Sequence, residues 1–110
     1  MKLPNGEVAI VEIAKIRDYC LSQRHSRGKH KARVFLAVLG ISAEDAEEFR
    51  AVLLRAAIEG NAALGASDPY GTLYIIDFEM KRGEGSAMIR SSWIIRSGEA
   101  VPRFVTCFVL

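Results

Sequence analysis

Ala32, Phe35, Leu36 and Leu39 recur at i, i+3, i+4 and i+7, which puts them on one helical face and predicts a helix from about Lys29 to Leu39. Gly40 stands where a left-handed C-terminal cap belongs. Upstream, Ile13, Ile16, Tyr19 and Cys20 share a face of a shorter helix, Glu12 to Leu21, and Ser22 to Gly28 reads as the loop between the two. Downstream, Ser42 is a good N-cap with acidic residues filling the first turn behind it. Ala46, Phe49, Val52, Leu53 and Ala56 then point inward along a third helix that runs to about Glu59 and closes at Gly60. Residues 61–69, NAALGASDP, read as a loop. In the first eleven residues Pro4, Asn5 and Gly6 break any helix.

From Tyr70 onward the period changes to two. Tyr74, Ile76, Phe78 and Met80 share one face of a strand, and KRGEG is a hairpin turn. The next strand alternates Ala87, Ile89, Ser91, Trp93 and Ile95 against Met88, Arg90, Ser92, Ile94 and Arg96. SGEAVP turns the chain again. The last strand, Arg103 to Val109, sets Phe104, Thr106 and Phe108 against Val105, Cys107 and Val109. The expected fold is α+β: three N-terminal helices followed by an antiparallel β-meander of three to four strands, closed as a two-layer sandwich. With 110 residues, a single α+β domain spanning 1–110 is expected.

Composition narrows the class. Half the residues are hydrophobic and a quarter charged, the values of a globular domain rather than a disordered tail. Apolar runs are too short to span a membrane, and MKLPNGE lacks the apolar stretch of a signal peptide, so a cytoplasmic protein without a membrane partner is expected. Cys20 and Cys107 both fall at apolar-spaced positions and read as small buried hydrophobes; no disulfide framework is expected.

The net charge of +2 decides nothing, but its distribution does. Between Tyr19 and Ser42 there is no acidic residue, while Arg24, Arg27, Lys29, Lys31 and Arg33 fall inside that stretch with His25 and His30 among them. Glu44, Asp45, Glu47 and Glu48 follow directly. One local patch can therefore attract an anion while the whole chain stays nearly neutral.

Residues 25–35, HSRGKHKARVF, combine two imidazoles, a glycine and several cations at a helix start. Free N–H groups at a helix N-terminus bind anions. A lysine or arginine neutralises a developing phosphorane, and a histidine can move a proton near pH 7. Such a set suffices for metal-independent RNA cleavage; it equally describes a solvated loop with surface charges. Arg90, Ser92 and Arg96 on one face of the middle strand, with Thr106 in the last, offer a far wall for an anion, or else the wet face of a sheet. Trp93 is a stacking platform for a base or a core residue. Glu79-Met80-Lys81 with Asp68 loosely mimics a magnesium-nuclease triplet, but such triplets are common by chance. His25 and His30, without a cysteine partner, make a poor zinc motif. No metal and no cofactor are expected.

Several of these residues carry a family resemblance: Leu3-Pro4-Asn5, Lys15-Ile16-Arg17-Asp18-Tyr19, His25-x-x-Gly28-x-x-Lys31-Ala32-x-x-Phe35, Leu39-Gly40, Tyr70-Gly71, Trp93-Ile94 and Pro102-Arg103-Phe104-Val105-Thr106. Nearly end to end, the chain resembles a bacterial family of domains of about this length and of unknown function. That family is in turn similar to small ribonuclease toxins of the barnase–EndoU–colicin–RelE type. The resemblance implies helices before an antiparallel meander and a metal-independent endoribonuclease, the toxin of a toxin–antitoxin or toxin–immunity pair. It implies His25 as general acid/base, Lys31 for transition-state charge, and Thr106 as a hydrogen-bond donor to the phosphate. Arg27, Lys29, His30, Arg90, Trp93 and Arg103 would bind the substrate, RNA. A small acidic antitoxin or immunity protein would cover the basic cleft. Two positions depart from the pattern. Ser26 replaces the proline after the histidine, and Phe108 replaces the tyrosine two residues after Thr106, leaving Tyr70 or Tyr74 to supply any phenol. The rival reading is a non-catalytic protein- or nucleic-acid-binding module; a third is a homodimer joined through an exposed strand edge.

Overall fold

The computed structural model describes residues 1–110. Helix α1, Ile13–Lys15, continues directly into a π-helical turn, Ile16–Cys20. Helix α2, Lys29–Leu39, has the bounds its apolar spacing predicts, and Gly40 closes it in the left-handed region at φ 61°. A 3₁₀ turn, Ala43–Asp45, leads into α3, Ala46–Glu59. The Asp45 carboxylate accepts the Ser42 N–H at 2.9 Å, satisfying a donor at that helix start.

Four strands follow: β1 Ala62–Asp68, β2 Gly71–Arg82, β3 Gly85–Arg96 and β4 Arg103–Val109. They pair antiparallel in the order β1-β2-β3-β4. The expected loop over 61–69 is thus mostly an edge strand. Its alanines, glycine and serine carry no strand pattern, and backbone pairing of Ala62–Leu64 with Tyr74–Ile76 decides the matter. The β2–β3 hairpin closes through Arg82 and Gly85, with Gly83 at φ 58° as the first residue of a two-residue loop.

The helices cover one sheet face. Phe35 and Leu39 of α2, Phe49, Leu53 and Ala57 of α3, and Ile76, Ile89, Trp93, Phe104 and Cys107 of the sheet share one buried cluster. Phe35 and Phe49 meet edge-on at 5.2 Å, and Trp93 and Phe104 at 5.5 Å. The indole N–H of Trp93 donates to the Ser91 hydroxyl at 3.0 Å, which itself donates to the Ile76 carbonyl at 2.8 Å. The one buried polar side chain is therefore satisfied in both directions.

Strand β4 departs from simple alternation. Trp93 pairs with Phe104 and Ser92 with Thr106, so Val105 is an extra residue that bulges out of the ladder. Phe104 and Cys107 both reach the core, while Thr106 and Phe108 do not. The predicted grouping of Phe104 with Thr106 and Phe108 is corrected by this bulge. The N-terminal segment covers the start of β4's edge: Ile10 accepts the Phe104 N–H and donates to Pro102, each at 2.9 Å. No helix is long and apolar enough to cross a membrane.

Candidate functional site at the edge of the last strand

The uncovered part of the β4 edge faces the π-helical turn and the start of α2. Gly28 makes this approach close. A Cβ there would overlap the Tyr19 carbonyl oxygen and lie 3.0 Å from its carbonyl carbon. The loop over 22–28 is tied down from within. Ser22 Oγ accepts the N–H groups of Arg24 and His25 at 3.2 Å. His25 Nδ1 accepts those of Arg27 and Gly28 at 3.1 and 3.0 Å. With Nδ1 an acceptor, neutral His25 carries its proton on Nε2.

Three rings and a cation converge here. The Tyr19 and His25 rings stand 4.5 Å apart at 72°. Lys31 Nζ lies 5.9 Å from the centre of the Tyr19 ring and 5.3 Å from that of Phe108. Thr106 Oγ1 is 3.8 Å from Cys20 Sγ. A cleft of about 610 Å³ opens between α1, the π turn and β4, with Ala14, Asp18, Tyr19, His25, Val105 and Thr106 among its walls. The structure thus brings His25, Lys31 and Thr106 to one edge of the sheet.

The charges sort into two groups. Ten lysines and arginines outside residues 24–33 have a partner. Lys2, Lys15 and Arg50 donate to the carbonyls of Glu59, Phe104 and Val11. Arg17, Arg55, Lys81, Arg82, Arg90, Arg96 and Arg103 pair with carboxylates. Arg24, Arg27, Lys29, Lys31 and Arg33 have neither kind of partner. Helix α2 has no side-chain cap, and the N–H groups of His30 and Lys31 find no partner in the chain. Open donors and open cations therefore coincide at one helix start.

Other predicted site residues lie elsewhere. Trp93 is fully covered in the core, so it offers no face to a base, which corrects its reading as a stacking platform. Arg90 is held by Asp77 through two hydrogen bonds of 2.9 and 2.8 Å. Hydrogen bonding to Arg90 keeps the Asp77 carboxyl below the usual carboxylate range. Arg103 reaches Glu99 at 3.4 Å. Arg27 and His30 are exposed, and Lys29 half-buried. Tyr70 is 80% exposed beside the β1–β2 turn, and Tyr74 is separated from β4 by β3. The tyrosine at the site is Tyr19. Its helical spacing with Ile16 and Cys20 reads as core, and only its place in the Lys15–Tyr19 block of family marks sets it apart in the sequence.

Both cysteines are free and buried. The hydrogen bond with Cys107 brings the Cys20 thiol down to about 7, against the opposing effect of burial and with help from Thr106 and the Lys31 charge. Burial pushes the Cys107 thiol up. No three His, Cys, Asp or Glu side chains are grouped to hold a metal ion. Glu79 pairs with Lys81 at 3.7 Å, and Asp68 accepts the Tyr70 and Gly71 N–H groups.

The family described as Domain of unknown function (DUF6883) matches residues 2–110. The chain belongs to DUF6883. No curated protein matches it. Among solved structures, this DUF6883 chain is similar to one in a contact-dependent growth inhibition toxin–immunity protein complex from Klebsiella pneumoniae 342. The two share 18% identity with a TM-score of 0.67, covering 93% of this chain and 100% of the other. At that identity the likeness is one of fold.

Proposed function

We propose that this DUF6883 chain is a metal-independent ribonuclease, the toxin of a toxin–immunity pair, with its site at the edge of β4. The observation that carries the reading is the coincidence of five unpartnered cations and two open N–H groups with a cleft that holds His25, Tyr19 and Thr106. Fold similarity to a chain of a toxin–immunity complex supports it. In the proposed reaction the ribose 2′-oxygen attacks its own phosphorus and the bond to the 5′-oxygen breaks. The 2′ proton leaves to solvent and the departing oxygen takes one up. Lys31 and the start of α2 stabilise the charge on the phosphorane, and Thr106 donates to a phosphate oxygen.

His25 takes a narrower role than general acid/base. Cycling a proton through Nε2 would place one on Nδ1 and break both loop hydrogen bonds. We therefore assign its Nε2–H to donation toward the phosphate. His25→Asn keeps an acceptor near the Nδ1 position and removes the Nε2–H. His25→Gln keeps a donor near Nε2. With purified protein, labelled RNA and EDTA, Asn is expected to lower cleavage by about 10²-fold or more with the melting temperature preserved, and Gln to lower it less. Equal cleavage by native protein and the Asn variant removes His25 from the chemistry.

The partner that fits this site is a small acidic protein that covers the cations. A second reading, an RNA-binding module that breaks no bond, is favoured by one observation: the ring beneath Lys31 in β4 is Phe108, which has no hydroxyl. That reading predicts salt-dependent binding without cleavage. Contacts from all five cations give a slope of log affinity against log salt of about −3.5 on single strands.

A further inference from the structure

The cleft beside the cations differs from them chemically. Its walls are largely apolar, and its two charged residues are already engaged. Lys15 Nζ donates to the Phe104 carbonyl at 3.0 Å. Asp18 accepts from Arg17 Nε and Nη2 at 2.9 and 3.1 Å. Beyond the two donors already assigned to the phosphate, His25 Nε2–H and Thr106 Oγ1, a phosphate gains nothing from these walls and is repelled by the Asp18 carboxylate. A flat, uncharged ring gains a great deal. Tyr19 and His25, edge to face, form a corner of two rings, and the bulged Val105 is another of the walls. About 610 Å³ is ample for a base with its ribose.

We propose that this cleft is a base-binding subsite and that the ligand is an unpaired nucleotide, its base between the Tyr19–His25 corner and Val105, its phosphate at the start of α2. This rests on the RNA reading above and names the substrate class. Inside a duplex the base faces are stacked and cannot enter a cleft, so single-stranded or looped RNA is selected over paired RNA. Asp18 at the wall accepts N–H donors from a base edge, since each carboxylate oxygen bound to Arg17 keeps a lone pair.

The test is a titration of the full chain with a nucleoside 3′-monophosphate and, separately, with inorganic phosphate, following backbone amide shifts. Both are expected to move the amides of Lys29 to Lys31. Only the nucleotide is expected to move those of Ala14, Tyr19 and Val105, and to bind about tenfold or more tightly than phosphate. Ala14→Leu fills the cleft from an exposed helical position without removing a polar group. It is expected to reduce nucleotide affinity to that of phosphate and leave phosphate unchanged, with an unaltered circular dichroism spectrum. A nucleotide no tighter than phosphate, or one indifferent to Ala14→Leu, overturns the subsite. Binding in a protein that leaves RNA intact would retain the subsite and remove the ribonuclease chemistry; cleavage without base binding would do the reverse.

Discussion

Lys31→Ala is expected to slow RNA cleavage by about 10²–10³-fold while lowering the melting temperature by only about 5 °C. Its ammonium is the only one of the open cations held over aromatic rings, at 5.9 and 5.3 Å from Tyr19 and Phe108, so its position is defined. Losing those contacts costs about 0.5–1 kcal/mol each at an exposed site. Against this, Lys31 lies in the first turn of α2, where a cation opposes the helix dipole by about 0.3–1 kcal/mol. The second offsets about half of the first, which leaves a net loss of about 1 kcal/mol. Helix α3 makes the contrast, with Asp45, Glu47 and Glu48 at its start. The cations that open α2 are in the wrong place for stability and the right place for an anion. Cleavage kinetics beside thermal unfolding of both proteins check this; a large drop in both would mark Lys31 as structural.

Gly28→Ala is expected to cost about 10²-fold in cleavage with a loss of about 1–3 kcal/mol in stability. The backbone at Gly28, φ −80° and ψ −23°, suits alanine, so conformation is not the obstacle. The obstacle is contact: the added carbon overlaps the Tyr19 carbonyl oxygen. Backbone cannot rotate aside as a side chain does. The loop and the start of α2 must move off the π turn by about an ångström, taking His25 and Lys31 from Tyr19 and Thr106. Denaturant unfolding and cleavage kinetics separate the two losses. An alanine variant with native kinetics would show that the docking of this loop does not set the site.

Much of this architecture is written in the hydrophobic pattern, and the failures have physical causes. Helix α2 announces itself because its buried stripe is regular and Gly40 ends it. The β2–β3 pair is equally plain, with twelve residues a side alternating around a glycine turn. Strand β1 is hidden because it is exposed along most of its length and held by backbone hydrogen bonds that residue type does not report. The bulge at Val105 is hidden for a related reason: one extra residue in a short apolar strand leaves composition unchanged while reversing which side chains face the core. Among the site residues, His25 and Lys31 are legible as charge without counter-charge. Tyr19 is not, since a half-buried aromatic at helical spacing looks like core. Trp93 shows the converse, a potential stacking ring that Ser91 satisfies in the interior.

The most direct test of a ribonuclease toxin with its site in this loop is inducible expression in a bacterial host. The native chain is compared with His25→Ala and Lys31→Ala, following growth and total RNA integrity with soluble protein quantified in each. Growth arrest with degraded RNA from the native chain, relieved by either substitution at equal soluble levels, is the predicted result. Normal growth and intact RNA with native protein that is folded and abundant would contradict it.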